Sequence, residues 1–211
     1  MKQLADNAIA ATFSETRGGE FYRGADDAIF DLNLLREAYE QVIERVGPLR
    51  STRGDGAQLS AVSLTHRRDA DDPMTDGLES QFAPDGTLRY LEREFCCFNT
   101  DFVDTYFSVI HRCMQRPVGR MRLMIMRPRQ VYPMHADASK RAHLAIHTAP
   151  DTYLVGPDGH GHHVPADGRV RVFDTRLRHT AFNASDVDRV HLVMSMADTE
   201  RLHHTASLRR I

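Results

Sequence analysis

The sequence predicts a mainly β fold in which helices from the first half of the chain pack on a β-rich second half. Two observations support this prediction. In the first half, apolar residues recur at the three-and-four spacing of amphipathic helices, whereas from Arg120 onward they occur in short alternating segments separated by turn residues. Closely spaced short strands indicate an antiparallel sandwich or barrel.

The length of the chain favours a single catalytic domain over residues 1–211. It has 211 residues, enough for one buried core but few for two, and it shows no internal repeat, low-complexity tract or linker. We expect residues 1–119 to form a helical, loop-rich support with the probable substrate region. Residues 120–196 would form the β core with the functional site, and residues 197–211 a C-terminal tail.

Composition and charge exclude several functional classes. No apolar run is long enough to cross a bilayer, and the first 15 residues lack the apolar core of a secretory signal. A net charge of -2 gives no electrostatic case for nucleic acid. The three cysteines are an odd number without zinc-type spacing, which suits free thiols in a reducing compartment. We therefore expect a cytoplasmic protein with neither a membrane nor a nucleic-acid partner. The oligomeric state stays open.

Two helices and one strand are predicted before the β-rich half. Apolar residues at helical spacing predict a helix over residues 26–46, which Gly47 and Pro48 would end. A short strand is possible at Gln58–Leu64. A second helix is predicted over Asp101–Met114, with Asn99 or Thr100 as its N-cap.

Residues 66–77, HRRDADDPMTDG, have neither helical nor strand periodicity and predict a loop. This loop is either a solvated connection or, extended to about residue 80, a lid that covers a substrate.

The predicted strands of the second half follow this loop along the chain. They lie in RMRLMIM, RAHLAIHT, TYLVG, HHVP, RVRVFD, HTAFN and RVHLVMSM.

The segment YPMHADASKRAHLAIHT contains the most informative pattern for chemistry. His135 and Asp137 are two residues apart, so an extended backbone would point both side chains the same way. His179, at the start of a predicted strand, is the candidate third ligand. Two histidines and one carboxylate on one face of a metal leave coordination positions open, an arrangement used by non-haem iron(II) oxygenases.

Arg189 and an alternating polar strand accompany these three residues. Arg189 follows His179 by ten residues, and its guanidinium could bind a carboxylate with two parallel hydrogen bonds. The alternative is an exposed arginine paired with Asp186 or Asp188. In RAHLAIHT, alternation places one set of polar residues on one face, namely Arg141, His143 and His147. Such a face either lines a cavity for an anion or contacts water.

At these residues the chain resembles the aspartyl/asparaginyl β-hydroxylase-like branch of the Fe(II)/2-oxoglutarate oxygenases, which includes some proline hydroxylases. The resemblance covers about residues 120–196 and rests on MIMRPRQVYPMHAD, on R-x-H-L at residues 141–144, and on FDTRLRHTAFNASDVDRVHLV. It implies a double-stranded β-helix (jelly-roll, cupin-like) core with helices packed on one sheet. It also implies His135, Asp137 and His179 as ligands of Fe(II), and Arg141, His143 and Arg189 as residues that bind the cosubstrate 2-oxoglutarate.

The reaction implied by the resemblance is hydroxylation of a C–H bond in an amino acid, free or within a peptide, with O2 consumed and succinate and CO2 released. Asp137 departs from the best-known β-hydroxylases, which lack this carboxylate, and resembles the proline hydroxylases. A filled carboxylate position also argues against halogenation, which needs that position vacant for halide. The residues that would recognise the substrate are expected at Gln58–Arg68 and in the following loop.

Other interpretations of the same residues stay open. A metal-dependent cupin isomerase or hydrolase could use similar ligands, although it would have no need of Arg189, and a non-enzymatic metal- or ligand-binding module could use the same β-scaffold. The histidines at residues 160–163 either bind a second metal or lie exposed at a hairpin turn. His147 and His191 either contact a ligand or are satisfied core histidines.

Overall fold

The computed structural model describes residues 21–47, 59–114 and 116–201. Within them the chain forms two α-helices and twelve β-strands. The helices are α1 (Leu32–Val46) and α2 (Tyr106–Cys113). The strands are β1 (Tyr22–Ile29), β2 (Leu59–Ser63), β3 (Thr65–His66), β4 (Cys97–Phe98), β5 (Val118–Met126), β6 (Gln130–Val131), β7 (Arg141–His147), β8 (Thr152–Val155), β9 (Gly161–His162), β10 (Arg169–Phe173), β11 (Thr180–Asn183) and β12 (Arg189–Met196). Short 3₁₀ helices span Glu92–Glu94, Thr100–Phe102 and Ala197–Thr199.

Two antiparallel sheets form the body of the protein. The main sheet has the strand order β1-β10-β7-β12-β5-β2, and the minor sheet has the order β6-β11-β8-β9. From β5 onward the chain crosses repeatedly between the two sheets, as in a double-stranded β-helix. The predicted mainly β, jelly-roll fold with N-terminal helices is confirmed.

The main sheet has one apolar and one largely polar face, because side chains alternate along each strand. Its apolar face packs on the two helices. That core contains Leu35 and Val42 of α1, Phe107 and Ile110 of α2, and the alternate sheet residues Leu123, Ile125, Leu144, Ile146, Val190 and Leu192. A smaller cluster around Phe21, Leu154 and Phe173 lies on the other face. Helix packing therefore covers one face of the sheet and leaves the opposite face for a site.

The predicted start of the first helix, at residue 26, is wrong. The helix begins at Leu32 because the Asp31 side chain accepts hydrogen bonds from the backbone N–H groups of Asn33 and Leu34, which caps the first turn. The preceding residues form β1, which pairs antiparallel with β10. The predicted end is confirmed, since Gly47 has a φ of 70° and follows Val46 directly.

The predicted second helix is divided into two shorter elements. Asn99 caps the 3₁₀ turn Thr100–Phe102 by accepting from the N–H of Asp101, and α2 then starts at Tyr106. Between them, the backbone of Thr105 is extended, with a φ of -86° and a ψ of 160°, which interrupts the helix.

Strands from the first half of the chain extend the main sheet beyond residues 120–196. The strand predicted near residues 58–64 is β2, which pairs with β5, although Gln58 lies outside the described residues. Residues 66–77 contain turns, as predicted for a loop. No helix in the described ranges is both long and apolar enough to span a bilayer.

Candidate metal centre and adjoining cavity

A cavity of about 210 Å³ lies between the two sheets. The polar face of β5, β7 and β12 forms one wall, and residues of β8, β11 and the 132–138 segment form another. From the first half of the chain, residues 78–82 contribute to the lining. The described part of Gln58–Arg68, residues 59–68, does not contribute, whereas residues 78–80 at the end of the following predicted loop do. Whether either segment recognises a substrate stays a prediction.

His135, Asp137 and His179 lie together at this cavity. His135 and His179 form an isolated antiparallel bridge in which the N–H of His135 donates to the carbonyl of His179 (3.0 Å) and the reverse bond is 2.8 Å. This bridge brings the two imidazole centroids within 4.3 Å. The candidate ligand atoms of the three residues all lie within 4.8 Å of one another, and within the described ranges this is the one group of three or more potential metal ligands.

The hydrogen bonds of both histidines point the same ring nitrogen toward the cavity. Nδ1 of His135 lies 2.8 Å from the carbonyl of Pro133, and Nδ1 of His179 lies 2.9 Å from the carbonyl of Leu177. Because a carbonyl only accepts, each Nδ1 must carry the proton, which leaves a lone pair on each Nε2. The Nε2 atoms lie 4.0 Å and 3.9 Å from the two oxygens of Asp137. Two imidazoles and one carboxylate thus converge in a way that fits a divalent metal.

Asp137 stays ionised because of the Arg141 guanidinium beside it. Burial alone would raise the pKa of its carboxyl group, but this guanidinium holds that pKa below its usual range. The Nε atom of Arg141 donates to Oδ2 of Asp137 at 3.1 Å. Arg141 therefore fixes the orientation of a candidate metal ligand.

Arg141 has little hydrogen-bonding capacity left for a cosubstrate. Its Nη1 donates to Glu92 and to Ser139, both at 2.8 Å, in addition to the bond from Nε to Asp137. Its Nη2 is buried and has no partner within the described ranges. That single nitrogen is what Arg141 can offer to a bound anion, and its assignment to the cosubstrate stays a prediction.

Behind Arg141 lies a fully buried carboxylate, that of Glu92. It accepts from Arg120 Nη2 (2.8 Å), Arg141 Nη1 (2.8 Å) and the Ser195 hydroxyl (2.6 Å). Burial would raise the pKa of Glu92, but the Arg141 and Arg120 guanidinium groups lower it well below the usual range. Sequence reasoning missed Glu92, since its segment has no periodicity that would place it.

Arg189 is buried in the cavity wall and is not the surface arginine of the alternative interpretation. Asp186 pairs with Arg129 and Asp188 with Arg127. The Arg189 Nη2 atom instead donates to Nδ1 of His191 at 3.0 Å. Burial lowers the pKa of Arg189 to about 10, so this guanidinium remains charged at neutral pH. His143 lies beside this pair, with its Nδ1 atom 3.4 Å from Nδ1 of His191.

Arg122 is a second cavity arginine, and sequence reasoning missed it. Its Nε atom is buried, and its side chain has no hydrogen-bond partner within the described ranges. Burial, followed by the nearby Arg120 and Arg141, lowers its pKa to about 10. Alternation in RMRLMIM could have revealed it, because Arg120, Arg122, Met124 and Met126 share the face of β5 that lines the cavity.

The cavity wall is strongly cationic. Arg120, Arg122, Arg141 and Arg189 line it, while their buried anionic neighbours are Asp137 and Glu92. Glu79 also lines the cavity, but it is exposed and pairs with Arg89. Unpaired buried guanidinium nitrogens are costly unless an anion satisfies them. The cavity therefore fits carboxylate ligands.

Other histidines are not part of the group of candidate metal ligands. His160 is exposed at the turn between β8 and β9, as the hairpin interpretation predicts, whereas His162 and His163 are half-buried and not exposed as expected. The His147 ring packs against Tyr39 of α1, on the helix side of the sheet, so its predicted place on the face of Arg141 and His143 is wrong. The pairing of β7 with β12 is irregular at this point, between Val190 and His191. His203 and His204 lie outside the described residues.

Comparison with known proteins places these residues in a family. A sequence model described as aspartyl/asparaginyl β-hydroxylase matches residues 92–199, just over half of the chain. This match includes the triad together with Arg141, His143 and Arg189. None of the curated proteins compared with the chain matched it.

Solved structures to which the chain is similar include three bacterial proteins. A prolyl-4-hydroxylase from Pseudomonas putida is 13% identical, with a TM-score of 0.46, over 87% of this chain and 94% of that one. AviO1 from Streptomyces viridochromogenes Tue57 is 18% identical, with a TM-score of 0.44, over 84% and 88%. An oxidoreductase of the 2OG-Fe(II) oxygenase family from Burkholderia pseudomallei is 16% identical, with a TM-score of 0.42, over 77% and 79%. At these identities the similarity concerns the fold alone.

Replacing Glu92 tests whether its buried carboxylate holds the arginines in place. We expect Glu92→Gln to lower the free energy of unfolding by about 3–5 kcal/mol, because it leaves two buried guanidinium groups without their shared anion. Chemical denaturation followed by circular dichroism measures this change. Glu94→Gln, in the same 3₁₀ helix but exposed, is the matched control and should change stability by less than about 0.5 kcal/mol. Equal effects of the two substitutions would contradict the assigned role.

Proposed function

Because this chain belongs to the aspartyl/asparaginyl β-hydroxylase family and is a 2-oxoglutarate-dependent dioxygenase, we propose that it hydroxylates a C–H bond of an amino acid, free or within a peptide. Succinate and CO2 would be released. The observation that carries the proposal is the convergence of His135, Asp137 and His179 beside a cavity lined by buried arginines. One cavity thus provides ligands for a metal and cations for organic acids.

Hydrogen bonds within the protein orient the proposed metal ligands. Bound Fe(II) would supply the oxidising chemistry together with O2 and 2-oxoglutarate. The protein's contribution is to fix both Nε2 lone pairs through the Nδ1–H bonds to Pro133 and Leu177. It also keeps Asp137 ionised and oriented through Arg141.

We propose that Arg189 binds a carboxylate of 2-oxoglutarate. Its guanidinium is buried, and its one hydrogen bond in the described structure is to His191, so most of its donors are available. His143 and the free Nη2 atom of Arg141 line the same cavity. A metal-dependent isomerase or hydrolase would not need a buried cation at the position of Arg189, so this residue favours the oxygenase over that alternative.

Charge and size favour a substrate that carries a carboxylate. The two positive charges of Fe(II) and the two negative charges of 2-oxoglutarate cancel. The excess of positive charge on the cavity wall would therefore persist after both bind. Arg122, which has no protein partner within the described ranges, is our candidate contact for that carboxylate. Because the cavity of about 210 Å³ must also hold 2-oxoglutarate, the space left over suits only a small unit such as one amino acid, either free or as the side chain of a peptide.

We also propose a cytoplasmic location. The described cysteines, Cys96, Cys97 and Cys113, are all free thiols. Free thiols persist in reducing compartments.

Anaerobic addition of Fe(II) and 2-oxoglutarate tests the proposed metal and cosubstrate. We expect a weak visible charge-transfer band at about 500 nm, which arises when the cosubstrate chelates ferrous iron. His179→Ala should abolish both metal binding and the band, because one of three protein ligands is lost. His160→Ala, which removes an exposed histidine, is the control and should leave both unchanged. A folded wild-type protein that binds Fe(II) without any band would contradict the proposal.

Arg189→Ala separates cosubstrate binding from metal binding. We expect metal affinity to be retained, while the concentration of 2-oxoglutarate needed for half-maximal band intensity rises about 10- to 100-fold, since a charge-assisted contact is lost. Arg127→Ala, which removes an exposed arginine paired with Asp188, should behave as wild type. An unchanged 2-oxoglutarate requirement in Arg189→Ala would show that its role is assigned wrongly.

A succinate-release screen across free amino acids and short peptides tests the substrate class. For the best substrate, we expect Arg122→Gln to raise KM about 10- to 100-fold because a buried charged contact to the carboxylate is lost. The 2-oxoglutarate requirement for uncoupled turnover should not change. Arg112→Gln, on the exposed side of α2, is the control. Substrate KM values that do not differ between wild type and Arg122→Gln would exclude Arg122 as the contact.

A further inference from the structure

His191 is a buried histidine of β12 that contacts two proposed cosubstrate residues at once. Its side chain is on the same strand face as Arg189, two residues away, and β12 pairs with β7, which carries His143. One atom of His191, Nδ1, lies 3.0 Å from Nη2 of Arg189 and 3.4 Å from Nδ1 of His143. His191 itself is fully buried. It therefore lies behind the cavity wall and not in it.

The donor and acceptor capacities of these groups assign the protons of both imidazoles. A guanidinium can only donate, so Nδ1 of His191 must be the acceptor, and the proton of this ring is on Nε2. Burial, and then the Arg189 charge, lower the pKa of His191 and of His143 well below the usual range, so both rings are neutral. Because Nδ1 of His191 carries no proton, the proton between the two rings belongs to Nδ1 of His143. Nε2 of His143 is then an unprotonated nitrogen.

We propose that His191 is a positioning residue whose Nδ1 atom holds the Arg189 guanidinium and the His143 imidazole in a fixed relation and sets the tautomer of His143. The proposal rests on the function proposed above, because it takes Arg189 and His143 as residues that meet 2-oxoglutarate. His191 touches neither the metal ligands nor the cavity in the described structure. It would act only through its two neighbours.

The other ring nitrogen of His191 supports a role confined to Nδ1. Nε2 is buried and has no hydrogen-bond partner within the described ranges. A buried N–H group without an acceptor is unfavourable, so an apolar side chain would suit this position better if His191 served only to fill space. The interaction that requires an imidazole is the one at Nδ1, where two donors from different strands meet.

Nitrogen-15 NMR of the histidine-labelled wild-type protein, without metal or cosubstrate, tests the proton assignment directly. We expect the Nε2–H tautomer for His191 and the Nδ1–H tautomer for His143. Single-histidine substitutions assign the two spin systems. A protonated Nδ1 on His191 would overturn the proposal, whatever the reaction of the enzyme. This measurement needs neither turnover nor a known substrate, so its outcome is independent of the proposed function.

Titration of Mn(II)-loaded protein with 2-oxoglutarate, followed by calorimetry, tests the positioning role. We expect His191→Leu to weaken binding about tenfold or more, because Arg189 and His143 lose their shared acceptor. His191→Asn, which keeps an acceptor oxygen near the position of Nδ1, should recover most of the affinity. Mn(II) affinity should be the same in both variants. His147→Leu, a histidine substitution on the helix side of β7, is the matched control.

Three results of this titration have distinct meanings. Unchanged 2-oxoglutarate affinity in a folded His191→Leu protein would overturn the positioning role. Equal losses in His191→Leu and His191→Asn would overturn it as well, because the acceptor would then be irrelevant. Wild-type protein that binds Mn(II) but no 2-oxoglutarate would overturn the proposed function, and with it the role of His191 toward that ligand.

Discussion

The buried carboxylate of Glu92 is the interaction on which the rest of the site depends. Arg120 on β5 and Arg141 on β7 could not lie side by side in a dry interior without an anion between them. Glu92 provides this anion and also accepts from Ser195 on β12, so three segments of the main sheet meet at one carboxylate. Arg141, held in this way, is positioned to hold Asp137. Buried ion pairs are weak sources of net stability, but they constrain geometry strongly, and here the constrained group is a candidate metal ligand.

Because side chains alternate along each strand, the two faces of the main sheet differ in composition and in role. On one face, leucine, isoleucine and valine side chains pack against α1 and α2, which supplies the apolar burial that a domain of this size needs. On the other face, the same strands carry the arginines and histidines of the cavity. Their desolvation is unfavourable and must be offset by that apolar burial. The helices therefore matter to the site although they contribute none of the lining residues.

Features encoded by local spacing could be predicted from the sequence, and features that depend on distant contacts could not. His135 and Asp137 were identified because two residues on an extended segment share a face. The strands β5, β7, β8, β10, β11 and β12 follow from short apolar or alternating runs between turns, whereas β9 lies at Gly161–His162 and shares only His162 with the predicted HHVP. The start of α1 was missed because the residues before it form β1, which pairs with β10, a strand about 140 to 150 residues further along the chain. The burial of Glu92 could not be predicted, since a carboxylate in an aperiodic segment is usually solvated. Strand alternation in RMRLMIM could have placed Arg122 on the cavity face of β5, but only the structure shows that it lacks a hydrogen-bond partner within the described ranges.

The exposed fractions of the site side chains indicate how deep in the cavity each proposed ligand would lie. The His135 side chain is 32% exposed and that of Asp137 is 23% exposed, whereas that of His179 is 6% exposed. Arg189 is buried, with 5% of its surface exposed. The metal would therefore lie toward the opening, and a dicarboxylate that reaches from the metal to Arg189 would lie deeper in the cavity.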